Sequence, residues 1–306
     1  YSSLPRSADF YLKQSGDDVA KPLQVGKVFW HAALWALLYY IASSLLRPLF
    51  PHYQHHRSLT VREAFPWVRG LWRKCYYHVK ERAVRGRLEK EYSGRFFLVP
   101  LQVYHDSQMH MHSDYADVEA FIRNVVTDFA KNAESEAYLV IKHHPMDRAY
   151  RDYTALCAQL AEYHGIKERL YYVHDLHLPT AFKHTRGVVV VNSTVGLSAL
   201  MADVPVKVCG RAMYDIPDIA YQGLLSDFWA DAPYYRPNKQ ALQGFYTYLL
   251  QRTQLNGSLY KRLSGTASHS GVIWDAPAYV SILEGRTERM RAGEFQQLVA
   301  KGQVAA

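Results

Sequence analysis

Apolar and polar positions change texture several times along the chain. Residues 1–22 are polar and turn-rich, the pattern of a connector. Residues 28–46 then run for nineteen positions without a formal charge, bracketed by Lys27 and Arg47. That length is borderline for a membrane span. His31, Tyr39, Tyr40, Ser43 and Ser44 dilute the run, so it predicts a helix suited to a membrane interface or to burial between domains. Pro48 and Pro51 end it. From Arg95 onward short β-prone runs alternate with amphipathic stretches. Strands are expected at 96–103, 138–142, 170–173, 188–191 and 206–209, and helices at 118–131, 153–164, 179–184 and 195–201. Strands alternating with helices predict a parallel, doubly wound α/β sheet. A helical, Gln-rich tail follows from Ala241. The expected organisation is a connector, apolar helix and basic Trp-rich helical region over 1–94, a Rossmann-like nucleotide-binding domain over 95–240, and a helical tail over 241–306.

Composition adds an ordered globular character, with 49% hydrophobic and 21% charged residues among 306. The net charge of +8 is uneven: between residues 62 and 91 nine Lys and Arg face four Glu. Such a segment suits a solvated helix face, a nucleic-acid patch or a contact for anionic lipid. Trp30, Trp35, Trp67 and Trp72 lie around it, the aromatic and cationic mixture that docking on an anionic bilayer requires. Cys75, Cys157 and Cys209 are odd in number and lack metal-type spacing, which predicts reduced thiols serving as small packing residues. The opening Tyr1-Ser-Ser-Leu-Pro carries no secretory pattern, and the absence of Met there reads as a processed or excised piece.

The candidate chemistry gathers at predicted strand ends, where ligands of open α/β sheets bind. Tyr138-Leu-Val-Ile-Lys142 runs into His143, His144 and Pro145. Val188-Val-Val-Val is followed by Asn192-Ser193-Thr194 at a helix start, where free N–H groups and the helix dipole favour a phosphate, though either hydroxyl could simply cap the helix. After the first strand comes Gln102-Val-Tyr-His105-Asp106-Ser107-Gln108. Asp106 suits a base, a nucleophile or a turn former, and the flanking amides of Gln102 and Gln108 can orient it and bond a polyhydroxylated ligand. His105, His110, His112, His143, His144, His174 and His177 crowd the same segments, but no His-Glu-x-x-His or Cys pair supports a metal. Gly-x-Ser-x-Gly and Gly-x-Gly-x-x-Gly are absent as well, so neither a nucleophile elbow nor a dinucleotide fingerprint is present. A phosphate-gripping sheet with one well-placed carboxylate suits a nucleotide-sugar enzyme.

Four words carry a resemblance. They are Val99-Pro-Leu-Gln-Val-Tyr-His-Asp-Ser-Gln108, Tyr138-Leu-Val-Ile-Lys-His-His-Pro-Met-Asp147, Val191-Asn-Ser-Thr-Val-Gly-Leu-Ser-Ala-Leu200 and Val206-Lys-Val-Cys-Gly-Arg-Ala-Met-Tyr-Asp-Ile216. In this order they resemble the capsular polysaccharide synthesis family of the KpsS/LipB type, bacterial β-Kdo transferases. The resemblance implies a two-domain, GT-B-like glycosyltransferase of which this chain lacks most of the first domain. It implies CMP-Kdo as donor, transfer with retention, a phosphatidylglycerol-type lipid acceptor, and no metal or other cofactor. His144 and Pro145 would sit around the CMP phosphate, with Ser193 and Thr194 holding it from the helix side. Asp106 would be the nucleophile, and an imidazolium at His144 would neutralise or protonate the leaving phosphate. The donor-binding set is then Gln102, Gln108, Lys142, His144, Pro145, Asn192, Ser193 and Thr194, and the catalytic pair is Asp106 and His144. The basic, Trp-rich residues 28–90 would bring a cytoplasmic enzyme to the inner face of the membrane, with other capsule synthesis and export proteins as partners and no nucleic acid. Two other readings stay open: a transferase using CMP-sialic acid or a UDP-sugar, and a non-catalytic capsule assembly or export component that holds the lipid-linked glycan.

Overall fold

The computed structural model describes residues 4–13, 29–53 and 64–253. Its helices are α1 (Ala8–Leu12), α2 (Phe29–Leu46), α3 (Ala64–Lys80), α4 (Arg82–Glu89), α5 (Ser107–Met111), α6 (Val118–Asn132), α7 (Thr154–Tyr163), α8 (Leu178–Phe182), α9 (Thr194–Met201), α10 (Leu225–Asp231) and α11 (Lys239–Thr253). The strands are β1 (Phe96–Pro100), β2 (Tyr138–Lys142), β3 (Leu170–Val173), β4 (Thr185–Val190) and β5 (Val206–Val208). All five pair in parallel, in the order β3-β2-β1-β4-β5. The chain winds outward from β1 through β2 to β3, then returns to the other side of β1 for β4 and β5. In this mixed α/β fold the winding of the chain therefore reverses between β1 and β4, and a crevice is expected beyond the strand ends there.

Both sheet faces are covered, which is why the strands read as unbroken apolar runs. Phe97, Val99, Leu139, Ile141, Val189 and Val191 face α6, α7 and α10. Phe96, Leu98, Val140, Val188 and Val190 face the opposite core, built with Ala199 and Leu200 of α9, Phe182 of α8, Leu88 of α4 and Phe245 of α11. Helix α6 shows how local sequence dictates this packing. Asp117 caps it by accepting the Ala120 N–H, Glu119 and Lys131 suit the two ends of its dipole, and Val118, Phe121, Ile122, Val125, Val126 and Phe129 form one buried stripe. Those six side chains contribute on the order of 10 kcal/mol of burial before conformational entropy is subtracted.

Strands β2 and β3 match their predicted limits, whereas β1 stops at Pro100, whose missing N–H suits a last strand position. In the stretch read as a connector, α1 packs on α11: the rings of Tyr11 and Phe245 meet edge to face at 5.1 Å. The expected tail helix is seen as α11, and its continuation, residues 254–306, lies outside the described residues. Of the described residues, 4–13, 43–53 and 64–253 belong to one compact unit and 29–42 to another. Helix α2 carries no charged residue, and Leu34, Trp35, Leu37, Leu38 and Ile41 are exposed. Among the described residues, no helix is long and apolar enough to cross a membrane.

Candidate functional site

At the carboxyl end of β1 the chain leaves the sheet and turns into α5. Asp106 caps that helix: one carboxylate oxygen accepts the Gln108 N–H at 2.9 Å and the other accepts the side-chain amide of Gln102 at 3.1 Å. Gln102 is buried, and the same nitrogen donates to Asn192 Oδ1 at 2.8 Å, across the point where the sheet reverses. Asn192 donates its side-chain N–H groups to the carbonyls of Gln108 and His112. The structure therefore joins Gln102, Asp106, Gln108 and Asn192 into one network. It also refines their roles, because the amides of Gln102 and Asn192 are spent on each other and on the loop. Gln102 thereby holds Asp106, and Asn192 holds Gln102.

On the other side of β1, β2 delivers Lys142 and His144. Lys142 is buried, and its ammonium makes one hydrogen bond among the described residues, to the His143 carbonyl at 3.3 Å. Burial, and then the charge of Arg148, push its pKa down to about 8. The charges of Asp175 and Glu81 pull the other way. His144 caps a short turn, Pro145–Ala149, by accepting the Met146 N–H on Nδ1 at 3.2 Å. Burial first, then Lys142 and Arg148, push its pKa down to about 4, with Asp106 pulling the other way. The unliganded imidazole is thus neutral with its proton on Nε2, a hydrogen-bond donor. Beside Lys142 and Arg148, a third positive charge at His144 is costly while no anion is bound. Pro145 occupies the first position of the turn. His143 is fully buried against Tyr172 and Tyr153, a packing residue.

Ser193 and Thr194 open α9 directly after Asn192. Ser193 does cap the helix, accepting the Val195 N–H at 3.3 Å, and Thr194 is exposed in its first turn. The hydroxyl of Tyr214 donates to the Ser193 carbonyl. Gly196 permits this, since a Cβ there would collide with the Tyr214 ring. Among the described residues no hydrogen bond links Ser193 to His144; the two share the edge formed by the carboxyl ends of the strands.

Sequence reasoning missed two buried carboxylates. Glu81, between α3 and α4, accepts the backbone N–H of His174, that of Asp175 and the ring nitrogen of His174, all at 2.8–2.9 Å. Asp147 stands in the His144 turn, 1% exposed, and accepts the Tyr104 N–H at 2.9 Å. Both act on partners far away in sequence, so no local pattern marked them.

The basic region divides by face. Arg73 donates to the Arg148 carbonyl at 2.6 Å, Arg85 to the carbonyls of His78 and Asp175, and Arg87 lies over the rings of Tyr92 and Tyr171. These charges serve the protein's own sheet edge. The outer face of α3, a helix without Asp or Glu, exposes Phe65, Val68, Trp72, Tyr76 and Val79 beside Arg69 and Lys80. Cys157 is buried with its thiol pushed up to about 12, but Cys75 is exposed on α3, contrary to the expectation of three packing residues. Among the described residues no His, Cys, Asp and Glu cluster could hold a metal ion.

Comparison with known proteins gives a consistent family. Residues 1–260 match the family described as capsule polysaccharide biosynthesis protein. The capsule polysaccharide export protein KpsS of Escherichia coli is 43% identical over 267 residues, covering 85% of this chain and 67% of that protein. The capsule polysaccharide modification protein LipB of Neisseria meningitidis serogroup A is 38% identical over 271 residues, covering 86% of this chain and 64% of that protein. The chain thus spans about two thirds of the length of these curated relatives. Among solved structures, Thermosulfurimonas dismutans KpsC, a beta Kdo 2,7 transferase, is 18% identical with a TM-score of 0.32, over 54% of this chain and 51% of that one, a likeness too slight to argue from. The match to the family and the identity with KpsS and LipB over most of the chain are decisive: this chain belongs to the capsule polysaccharide biosynthesis family.

Proposed function

We propose that this chain is the donor-binding part of a GT-B-like glycosyltransferase that moves Kdo from CMP-Kdo to a phosphatidylglycerol-type lipid at the inner face of the membrane. The observation that carries the reading is Lys142, a buried ammonium with a single carbonyl acceptor among the described residues, set beside a neutral His144 that itself lies within the field of Asp106. A nucleotide phosphate would pair with Lys142, accept the Nε2 proton of His144 in a hydrogen bond, and lie in the positive field at the start of α9. Asp106, held by Gln102 and by its own turn, would attack the anomeric carbon as the bond to the phosphate breaks and CMP leaves. The acceptor hydroxyl would then displace the carboxylate, restoring the original configuration, and its proton would pass to a base outside the set named here. No metal is required, since Lys142 and the helix start offset the leaving charge. The exposed apolar and basic face of α3 would meet the anionic leaflet where the lipid acceptor lies.

The test is transfer from CMP-Kdo to a lipid acceptor by the natural protein containing this chain. Asp106→Ala should lower turnover at least about 100-fold, the scale of a lost nucleophile. Wild-type turnover in that variant would remove Asp106 from the chemistry. The export role in the name of the Escherichia coli relative favours a second reading, a non-catalytic component that holds the lipid-linked glycan. Thermal stabilisation by CMP but not UMP supports the transferase, and binding of neither nucleotide supports the second reading.

A further inference from the structure

We propose that Asp147 is a positioning residue, which ties the loop carrying Asp106 to the turn carrying His144 and so sets the two groups relative to each other. Its catalytic consequence rests on the transferase reading above. His144 and Asp147 ride on one short turn, closed where the Asp147 N–H donates to the His144 carbonyl at 3.0 Å. From that turn the Asp147 carboxylate reaches out to accept the Tyr104 N–H at 2.9 Å. Tyr104 lies two residues before Asp106. The same segment grips Tyr104 again through the Arg151 guanidinium, 4.6 Å from the centre of its ring, and Arg151 is itself fixed by its N–H to the Asp147 carbonyl at 2.9 Å. On the opposite side Gln102 moors the loop to Asn192 at 2.8 Å. The loop with Asp106 is therefore held from both sides, and Asp147 supplies the tie from the turn that carries His144.

The form of this tie is informative. A turn carboxylate ordinarily keeps its second oxygen in water or on a neighbouring N–H, as Asp106 does. The second oxygen of Asp147 is buried and has no hydrogen-bond partner among the described residues. Burial pushes this carboxyl up to about 6, against the Tyr104 N–H and the charges of His105 and Arg151. Holding one backbone N–H with a nearly dry carboxylate is costly. The return is a strong, directional bond at a place where an error of about 1 Å in the geometry can cost roughly 100-fold in rate.

Two variants separate positioning from mere support. Asp147→Ala removes the acceptor, and Asp147→Asn keeps a carbonyl that can take the Tyr104 N–H. Hydrogen exchange of the segment 101–109 in this chain reads the tie directly. Turnover of CMP-Kdo by the natural protein, scaled to its folded fraction, reads the consequence. In Asp147→Ala exchange should quicken at least about 10-fold, and kcat should fall about 30-fold with KM for the donor within about threefold, because the lost interaction serves the transition state. Asp147→Asn should restore protection and most of kcat. Unchanged exchange in Asp147→Ala, or kcat per folded molecule equal to wild type, overturns the proposal, as does an Asp147→Asn variant as slow as Asp147→Ala. Should Asp147→Ala not fold, Asp147→Ser, whose hydroxyl is too short to reach Tyr104, takes its place. A wild type that does not turn over CMP-Kdo would overturn the transferase reading, while exchange alone still decides whether the tie exists.

Discussion

Replacing Lys142 with Met separates what the buried ammonium does for binding from what it costs the fold. Met keeps the length of the side chain and removes the charge. Lys142 is 6% exposed, and its pKa falls from 10.5 to about 8. At about 1.4 kcal/mol per unit, holding that charge at pH 7 costs about 3 kcal/mol. Replacing a buried charge by an apolar group of similar volume recovers part of such a cost, so Lys142→Met should be more stable by about 1–3 kcal/mol at neutral pH. Urea denaturation would register this as a higher midpoint with unchanged slope. The pH dependence has a definite sign. The unfolded chain keeps its proton up to 10.5 and the folded chain releases it near 8, so between those values wild type gains stability as pH rises and the advantage of the variant closes. CMP affinity, measured by calorimetry, should meanwhile drop roughly 30-fold, the worth of one charge-assisted bond to phosphate. A variant that is less stable than wild type and binds CMP equally well would refute the argument and make Lys142 a structural residue.

Two further perturbations probe the support around the site. Glu81→Ala would strand two backbone N–H groups and a ring nitrogen in the interior and should cost about 3–5 kcal/mol in urea denaturation; a loss under about 1 kcal/mol would contradict the bonding described. Val68→Ser with Trp72→Ser should reduce pelleting with phosphatidylglycerol vesicles several-fold, and wild-type pelleting should weaken as salt rises above about 0.15 M; binding indifferent to both would mean that α3 does not meet the bilayer.

How legible was this in the sequence? The five-stranded parallel sheet could be read almost directly, because buried parallel strands are continuous apolar runs and α6 carries a clean amphipathic stripe with its cap. The strand ends were equally visible, which placed Asp106, Lys142, His144, Asn192 and Ser193 on one edge. What escaped is what depends on the third dimension. Local spacing gives no sign that Glu81 meets His174, or that Asp147 meets Tyr104. Electrostatic setting escaped too: the burial of His144 and the closeness of Lys142 and Arg148, which lower its pKa, show only in the fold. Arg73, Arg85 and Arg87 looked like free surface charge because most of their partners, among them Asp152, Asp175, the Arg148 carbonyl and the Tyr171 ring, lie far off in the sequence.

The placement of β1 also bears on how the molecule assembles. Both neighbours of β1 are distant in sequence: Phe96 pairs with Tyr138 on one side and with Thr185 on the other. Long loops must close before either pairing is rewarded, so assembly of the sheet's centre is slow compared with formation of the helices. During synthesis the Gln102–Asn192 bridge has no second half until the chain has grown past β4. The nascent protein therefore carries the residues of the Asp106 turn well before that turn has a wall to lean on, and the candidate site can be completed only after β4 has emerged.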